Sequence, residues 1–181
     1  MTAMHGTETP SAWVQRWSHL VPAGQPVLDV ACGAGRHMRW FRDQGHPVVG
    51  VDRSPEAIAA AADLGEVLCA DLENGPWPWP GRAFSGVVVT NYLWRPLFPV
   101  LQQSVAAGGA LIYETFAAGN ETVGKPARPE FLLQPGELLR LCSGLHVVAF
   151  EDGYLEQPAR FVQRIAAVRP TGGSVPARYR L

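Results

Sequence analysis

The sequence predicts an α/β fold in which seven strands form one doubly wound sheet, mostly parallel, with an antiparallel hairpin at its C-terminal edge. Three observations carry that prediction. Short apolar runs rich in β-branched residues recur at 27–31, 47–51 and 84–90, as strands buried on both faces require. Between them stand turns rich in glycine or proline and stretches with helical spacing, the alternation of a βαβ chain. Near the end, 146–153 and 160–168 form two strand-like runs joined through GYLEQPA, and the pair reads as an edge hairpin.

Residues 10–20, PSAWVQRWSHL, set Trp13, Trp17 and Leu20 at helical spacing behind a Ser11 cap, so a short leading helix is expected, as a lid over a ligand or as plain packing. The strand 27–31 runs into a turn where Gly33 and Gly35 allow positive φ and close approach of backbone to a ligand. A helix over 36–44 follows at once, which is the form of a nucleotide-binding turn. Gly45 closes that helix, and the second strand, 47–51, leads to Asp52, seventeen residues after Gly35. An acid at this tip accepts hydrogen bonds from both hydroxyls of a ribose, and Arg53 joins it in the expected cofactor set.

The stretch SPEAIAAAADLG reads as a helix capped by Ser54, begun by Pro55 and stopped by Gly65. The third strand, 66–69, follows. Residues 73–83, ENGPWPWPGRA, hold three prolines and two glycines, so the third crossover is a loop, with Trp77 and Trp79 either stacking on a ligand or capping the sheet edge. The fourth strand, 84–90, delivers Asn91 and Tyr92 to the carboxyl end of the sheet, where such folds collect ligands. Residues 96–107 read as a helix, 110–116 as the fifth strand, and the polar stretch up to Gly136 as a long functional loop before a helix from Glu137.

The chain is expected to divide into an N-terminal segment 1–25, a core 26–170 and a flexible tail 171–181. With 181 residues and 47% hydrophobic residues it has enough apolar side chains for one sizeable core. Net charge is −1 and no basic run occurs, so the expectation is a small-molecule substrate with no nucleic acid and no membrane partner. The amino terminus, MTAMHGTETPSAWVQRW, lacks the basic and apolar regions of a signal peptide, so a cytoplasmic location is expected. Cys32, Cys69 and Cys142 are odd in number and widely spaced, which supports neither a disulfide framework nor a zinc site. His5, His19, His46 and His146 share no ligand spacing, so no metal is expected, and His37 on the first helix of the core is read as a surface or supporting residue. An exposed edge hairpin is one route to a homodimer.

A nicotinamide-binding fold also uses a glycine turn and an acid after the second strand. Its GxGxxG fingerprint needs a third glycine, and counted from Gly33 and Gly35 that place is Met38. Asp29, inside the first strand, would repel a pyrophosphate but suits a ligand that carries an amino group and a sulfonium, which favours S-adenosylmethionine.

LDVACGAGRH followed by VVGVDRSPEAI resembles motif I and the acidic loop of the class I S-adenosylmethionine-dependent methyltransferases, with Ala31 where the family usually has its first glycine. The resemblance implies a Rossmann-like fold over residues 26–168 and a cofactor site formed by Asp29, Ala31, Gly33, Gly35, Asp52, Arg53, Asp71, Leu72 and Asn91. Asp71 would accept from the adenine amino group, with a neighbouring backbone N–H meeting the ring. NYLWRPL, IYETF and GNETVGKPARPEFLLQPGEL are similar to the small tellurite-resistance-type and thiopurine-type members, whereas the NPPY tetrad of amino-methylating enzymes is replaced by NYLW. For the transfer itself alignment suffices, and a base is optional. Tyr92 and Glu114 are the catalytic candidates; Asn120, Glu121 and Arg128 share the expected region, and Glu114 has a purely structural alternative as partner of Lys125 or Arg128. Tyr92, Trp94, Arg95 and Arg128 are the expected substrate contacts, although the arginines also suit a solvated surface. A non-catalytic S-adenosylmethionine-binding module and an NAD-dependent oxidoreductase are the alternatives to the methyltransferase reading.

Overall fold

The computed structural model describes residues 9–173 and 177–181; the readings that rest on residues 1–8 and 174–176, His5 and part of the signal-peptide argument among them, lie outside the described residues. The helices are α1 (Ala12–Trp17), α2 (Arg36–Asp43), α3 (Pro55–Ala61), α4 (Phe98–Ser104) and α5 (Glu137–Leu141). The strands are β1 (Val27–Val30), β2 (Val48–Asp52), β3 (Glu66–Cys69), β4 (Phe84–Thr90), β5 (Val105–Phe116), β6 (His146–Glu156) and β7 (Ala159–Val168). They form one seven-stranded sheet in the order β3-β2-β1-β4-β5-β7-β6. Neighbours from β3 to β5 pair in parallel. β7 is antiparallel to both β5 and β6, so the hairpin reverses a single strand and the seven-stranded Rossmann-like sheet is as expected.

Because side chains alternate across a strand, the sheet carries two cores. One face presents Leu28, Val30, Val87, Val89 and Tyr113 to α4 and α5. The other presents Val27, Val48, Val88 and Ile112 to α1, α2 and α3. Asp29 belongs by parity to this second face, and Glu114 does too. Strand order reverses between β1 and β4, and that switch point opens a crevice at their carboxyl ends.

The leading helix is part of the second core. Ser11 Oγ accepts from Trp13 N at 3.1 Å and from Val14 N at 3.5 Å, the N-cap its position suggests. Trp13 and Trp17 are buried edge to face with ring centroids 5.6 Å apart, and Trp13 Nε1 donates to Ile165 O at 3.2 Å, so packing is what the aromatic stripe does.

Met38 replaces the third glycine without losing the close helix–strand approach. The small residue sits on the strand instead: a Cβ on Gly50 would lie 2.4 Å from Met38 Sδ and 2.9 Å from Cys32 Sγ.

One reading needs correction. The helix expected over 96–107 is a 3-10 turn, Arg95–Leu97, followed by α4, and β5 starts at Val105 because that residue pairs with Phe84. Gly108, at φ 75°, then turns the strand, its N–H donating to Arg169 O at 2.8 Å. Trp77 and Trp79 cap the sheet edge, Trp79 lying against Phe84 with centroids 5.9 Å apart. The tail expected to fray includes Tyr179, whose ring is 5.1 Å from His146, and Arg180, whose carbonyl is 3.0 Å from His19 Nε2.

Candidate functional site

The glycine turn after β1 is built from left-handed backbone. Ala31, Gly33 and Gly35 have φ of 54°, 54° and 80°, and Gly35 is the N-cap of α2. Glycine is favoured at 35 by its φ of 80°, and a Cβ there would also press on Leu64 Cδ1 at 2.5 Å. Ala31 adopts the same region at a steric cost that glycine would not incur. Asp52, at the tip of β2, holds this turn: its Oδ2 accepts Gly33 N at 2.9 Å, and its Oδ1 accepts Ser54 N at 2.9 Å. Each oxygen keeps a second lone pair for a ligand.

Two adjoining cavities, of about 350 and 680 Å³, share Ala31, Asp52, Arg53, Asn91, Tyr92 and Phe116, so they form one cleft across the switch point. That size suits a nucleoside-scale ligand. The smaller cavity takes in Asp71 and Leu72; the larger takes in Gly33, Arg36, His37 and Thr90. Asp71 is partly engaged, its Oδ1 accepting Glu73 N and its Oδ2 accepting Asn74 Nδ2, and these bonds hold its pKa below the usual carboxylate value. Asn91, at φ 55°, directs the chain out of β4 into the cleft.

Asp29 lies under the turn and is 2% exposed, with Oδ2 hydrogen-bonded to none of the described residues. Burial pushes its carboxyl up to about 7. His37 stands beside it, Nδ1 lying 3.9 Å from Asp29 Oδ2, and burial followed by the Arg36 charge lowers its imidazole to about 3. The pair is therefore a neutral ring beside a carboxyl group, not an ion pair.

The expected reacting residues separate. Tyr92 lines both cavities, and burial, then the charges of Glu73 and Asp71, raise its phenol far above the ordinary value, which keeps the hydroxyl protonated. Glu114 is not at the cleft. Parity turns it toward α1, where Oε1 accepts from Ser11 Oγ at 3.0 Å and lies 3.5 Å from Arg160, and Oε2 is 3.2 Å from Arg164. Its partners are neither Lys125 nor Arg128.

Arg95 is also withdrawn from substrate. Its Nε meets Glu137 Oε1 at 2.6 Å, and its Nη atoms donate to the carbonyls of Glu130 and Leu132 at 2.8 and 2.9 Å. It pins one end of the 117–134 loop. Asn120 pins the other, donating to Pro126 O at 3.0 Å and accepting Phe161 N at 3.2 Å, while Glu121 Oε2 accepts Gly119 N. Trp94 packs on the core, and Arg128 points to solvent with Glu130 4.0 Å away; neither lines the cleft. Between the two pins the loop brings Lys125, Pro126 and Phe131 over the cleft, contacts not anticipated from sequence. A lone phenylalanine in the proline-rich run KPARPEF was the available signal. Among the described residues no cluster of three or more His, Cys, Asp or Glu side chains is placed to hold a metal ion, and no helix is long and apolar enough to cross a membrane.

A family profile described as a methyltransferase domain matches residues 27–107, less than half of the chain but the part that carries the glycine turn and Asp52. The chain is 37% identical over 73 residues to the mouse 18S rRNA (guanine-N(7))-methyltransferase, covering 38% of this chain and 26% of that protein. It is 36% identical over 96 residues to the ribosomal protein L11 methyltransferase of Burkholderia vietnamiensis, covering 50% and 32%. The aligned stretch thus spans about a quarter to a third of the length of these relatives. TehB from Haemophilus influenzae has the same fold, with a TM-score of 0.70 at 16% identity over 93% of this chain and 63% of that one. The relatives are named for ribosomal RNA and a ribosomal protein, which overturns the expectation of a small-molecule substrate with no nucleic acid partner. Residues 27–107 thus carry a methyltransferase domain, and the strand order and the acid-locked glycine turn are those of the class I S-adenosylmethionine-dependent methyltransferase fold.

Proposed function

We propose that the chain binds S-adenosylmethionine in the cleft at the switch point and transfers its methyl group to a nucleophile that enters beneath the 117–134 loop. The observation that carries this reading is the bond from Gly33 N to Asp52 Oδ2, which sets the glycine turn and the ribose-type acid in one rigid unit. The residues present fit the cofactor. A buried carboxyl oxygen with no hydrogen-bond partner among the described residues, Asp29 Oδ2, suits an ammonium group, and Asp52 retains acceptor capacity for hydroxyls. Asp71 and Leu72 line the smaller cavity, which supports assigning the adenine end to them.

When bound, S-adenosylmethionine supplies an electrophilic methyl group and its own leaving group. The chain has to orient, exclude water and manage the acceptor's proton. Alignment of the reacting atoms alone contributes several kcal/mol, on the order of 7 or more in favourable cases. Asn91 and Tyr92 form one wall, Tyr92 as a hydrogen-bond donor, and Lys125 with Pro126 the other. The acceptors named in the relatives, ribosomal RNA and a ribosomal protein, are the ones to assay first.

Calorimetric titration with S-adenosylmethionine, S-adenosylhomocysteine and NAD tests the reading. Micromolar binding of the first two and none of NAD is the expected result; binding of NAD alone, or of none, would sink it.

A further inference from the structure

His37 is held from two sides. Its Nε2 accepts the backbone N–H of Ser11 at 3.1 Å, and a ring nitrogen that accepts carries no proton. The neutral imidazole therefore bears its proton on Nδ1. That nitrogen faces Asp29 Oδ2 at 3.9 Å, the buried oxygen that has no hydrogen-bond partner among the described residues. Both side chains are almost fully enclosed, at 2% and 3% exposure, so water does not screen the pair. His37 also lines the larger cavity, on the side of the glycine turn. On its far side, the Ser11 hydroxyl is bonded to Glu114, which Arg160 and Arg164 hold on β7. The N-terminal segment is thus anchored to the sheet and in turn fixes the ring.

We propose that His37 is a positioning residue: the Ser11 amide orients its ring so that the Nδ1–H steadies the carboxyl of Asp29 for the amino-acid end of the cofactor. The proposal rests on the reading of Asp29 as the group that meets the cofactor's ammonium. The chemistry recognised is a charged α-amino acid tail on a nucleoside, not the nucleoside itself.

Two ligands separate these contributions. S-adenosylhomocysteine carries the amino-acid tail, and 5′-methylthioadenosine is the same nucleoside without it. Calorimetry on wild type and His37→Ala is expected to show about a tenfold loss for the first ligand and a change within about twofold for the second, as the loss of an unscreened N–H dipole beside a carboxylate requires. His37→Asn keeps an N–H near the place of Nδ1 and is expected to restore most of the affinity. Equal losses for both ligands, or none for the first, overturn the proposal and leave the cofactor reading intact. Wild type binding neither ligand overturns both. Should His37→Ala not fold, the ¹⁵N imidazole shifts of wild-type protein decide independently of any ligand: a proton on Nδ1 is required, and a proton on Nε2 or a doubly protonated ring overturns the assignment.

Discussion

Asp52 Oδ2 and Gly33 N are joined at 2.9 Å, so the acid at the tip of β2 organises the turn that follows β1 as well as facing the cleft. Asp52→Ala should therefore cost stability and affinity together. Two amide bonds to a carboxylate are lost, and about 2 kcal/mol, or roughly 5 °C in Tm, is the expected penalty, with the protein still folded at 25 °C. S-adenosylmethionine affinity should fall by more than about thirtyfold, because both the turn and the ribose acceptor are affected. Unchanged affinity by calorimetry would remove Asp52 from the site.

Glu114→Gln separates a structural carboxylate from a catalytic one. Glu114 is 2% exposed and faces two arginines, and Arg164 also meets Glu151 across β6 with Nε 2.7 Å from Oε2. Leaving that positive charge without its central partner should cost about 3 kcal/mol in urea unfolding. In the folded variant, cofactor affinity should change by less than about twofold. A variant of native stability that binds the cofactor and has lost turnover would restore the catalytic role.

These two residues also show what is legible in a sequence. Asp52 was identifiable because its place is local: a fixed distance from a glycine turn, at the end of an apolar run. The Ser11 cap and the proline-rich third crossover were legible for the same reason. Glu114 was misplaced because its partners are set by pairing across the sheet, Arg164 being 50 residues away and in register with it. Arg95 was misplaced likewise; its acceptors are carbonyls of a loop 35 and 37 residues on, and main-chain acceptors leave no mark in residue types. The missing third glycine was visible, but its compensation by Gly50 requires knowing which strand faces α2.

Gly50→Ala tests that compensation. The new Cβ would press on Met38 Sδ, at the end of a flexible side chain, and on Cys32 Sγ. Overpacking here should cost about 1–3 kcal/mol. Adding Met38→Ala removes the nearer clash, so the double variant should lose less than the sum of the two single losses by about 1 kcal/mol. Strict additivity in denaturant titrations would mean that the two residues do not share one packing space.

The Asp29–His37 pair should give opposing pH dependences to stability. Asp29 has its carboxyl raised from 3.8 to about 7 by burial, so the folded state binds that proton more tightly than the unfolded chain. Its stabilising effect is full below pH 4 and is lost as pH rises through 7. His37 is lowered from 6.5 to about 3, so its effect is full above pH 6.5 and is lost as pH falls through 3. Between about pH 4 and 6.5 the two slopes oppose, each at most about 1.4 kcal/mol per pH unit. Asp29→Asn should therefore become more stable with rising pH over this range relative to wild type, and His37→Asn less stable. Urea midpoints at pH 4.5 and 6.5 measure both slopes, and variants that track wild type would show that neither group titrates in a buried state. Cofactor binding follows from the same carboxyl: an ammonium beside Asp29 favours its ionised form, so binding near pH 6 should release a proton, detectable by calorimetry in buffers of different ionisation enthalpy, and Asp29→Asn should abolish that release.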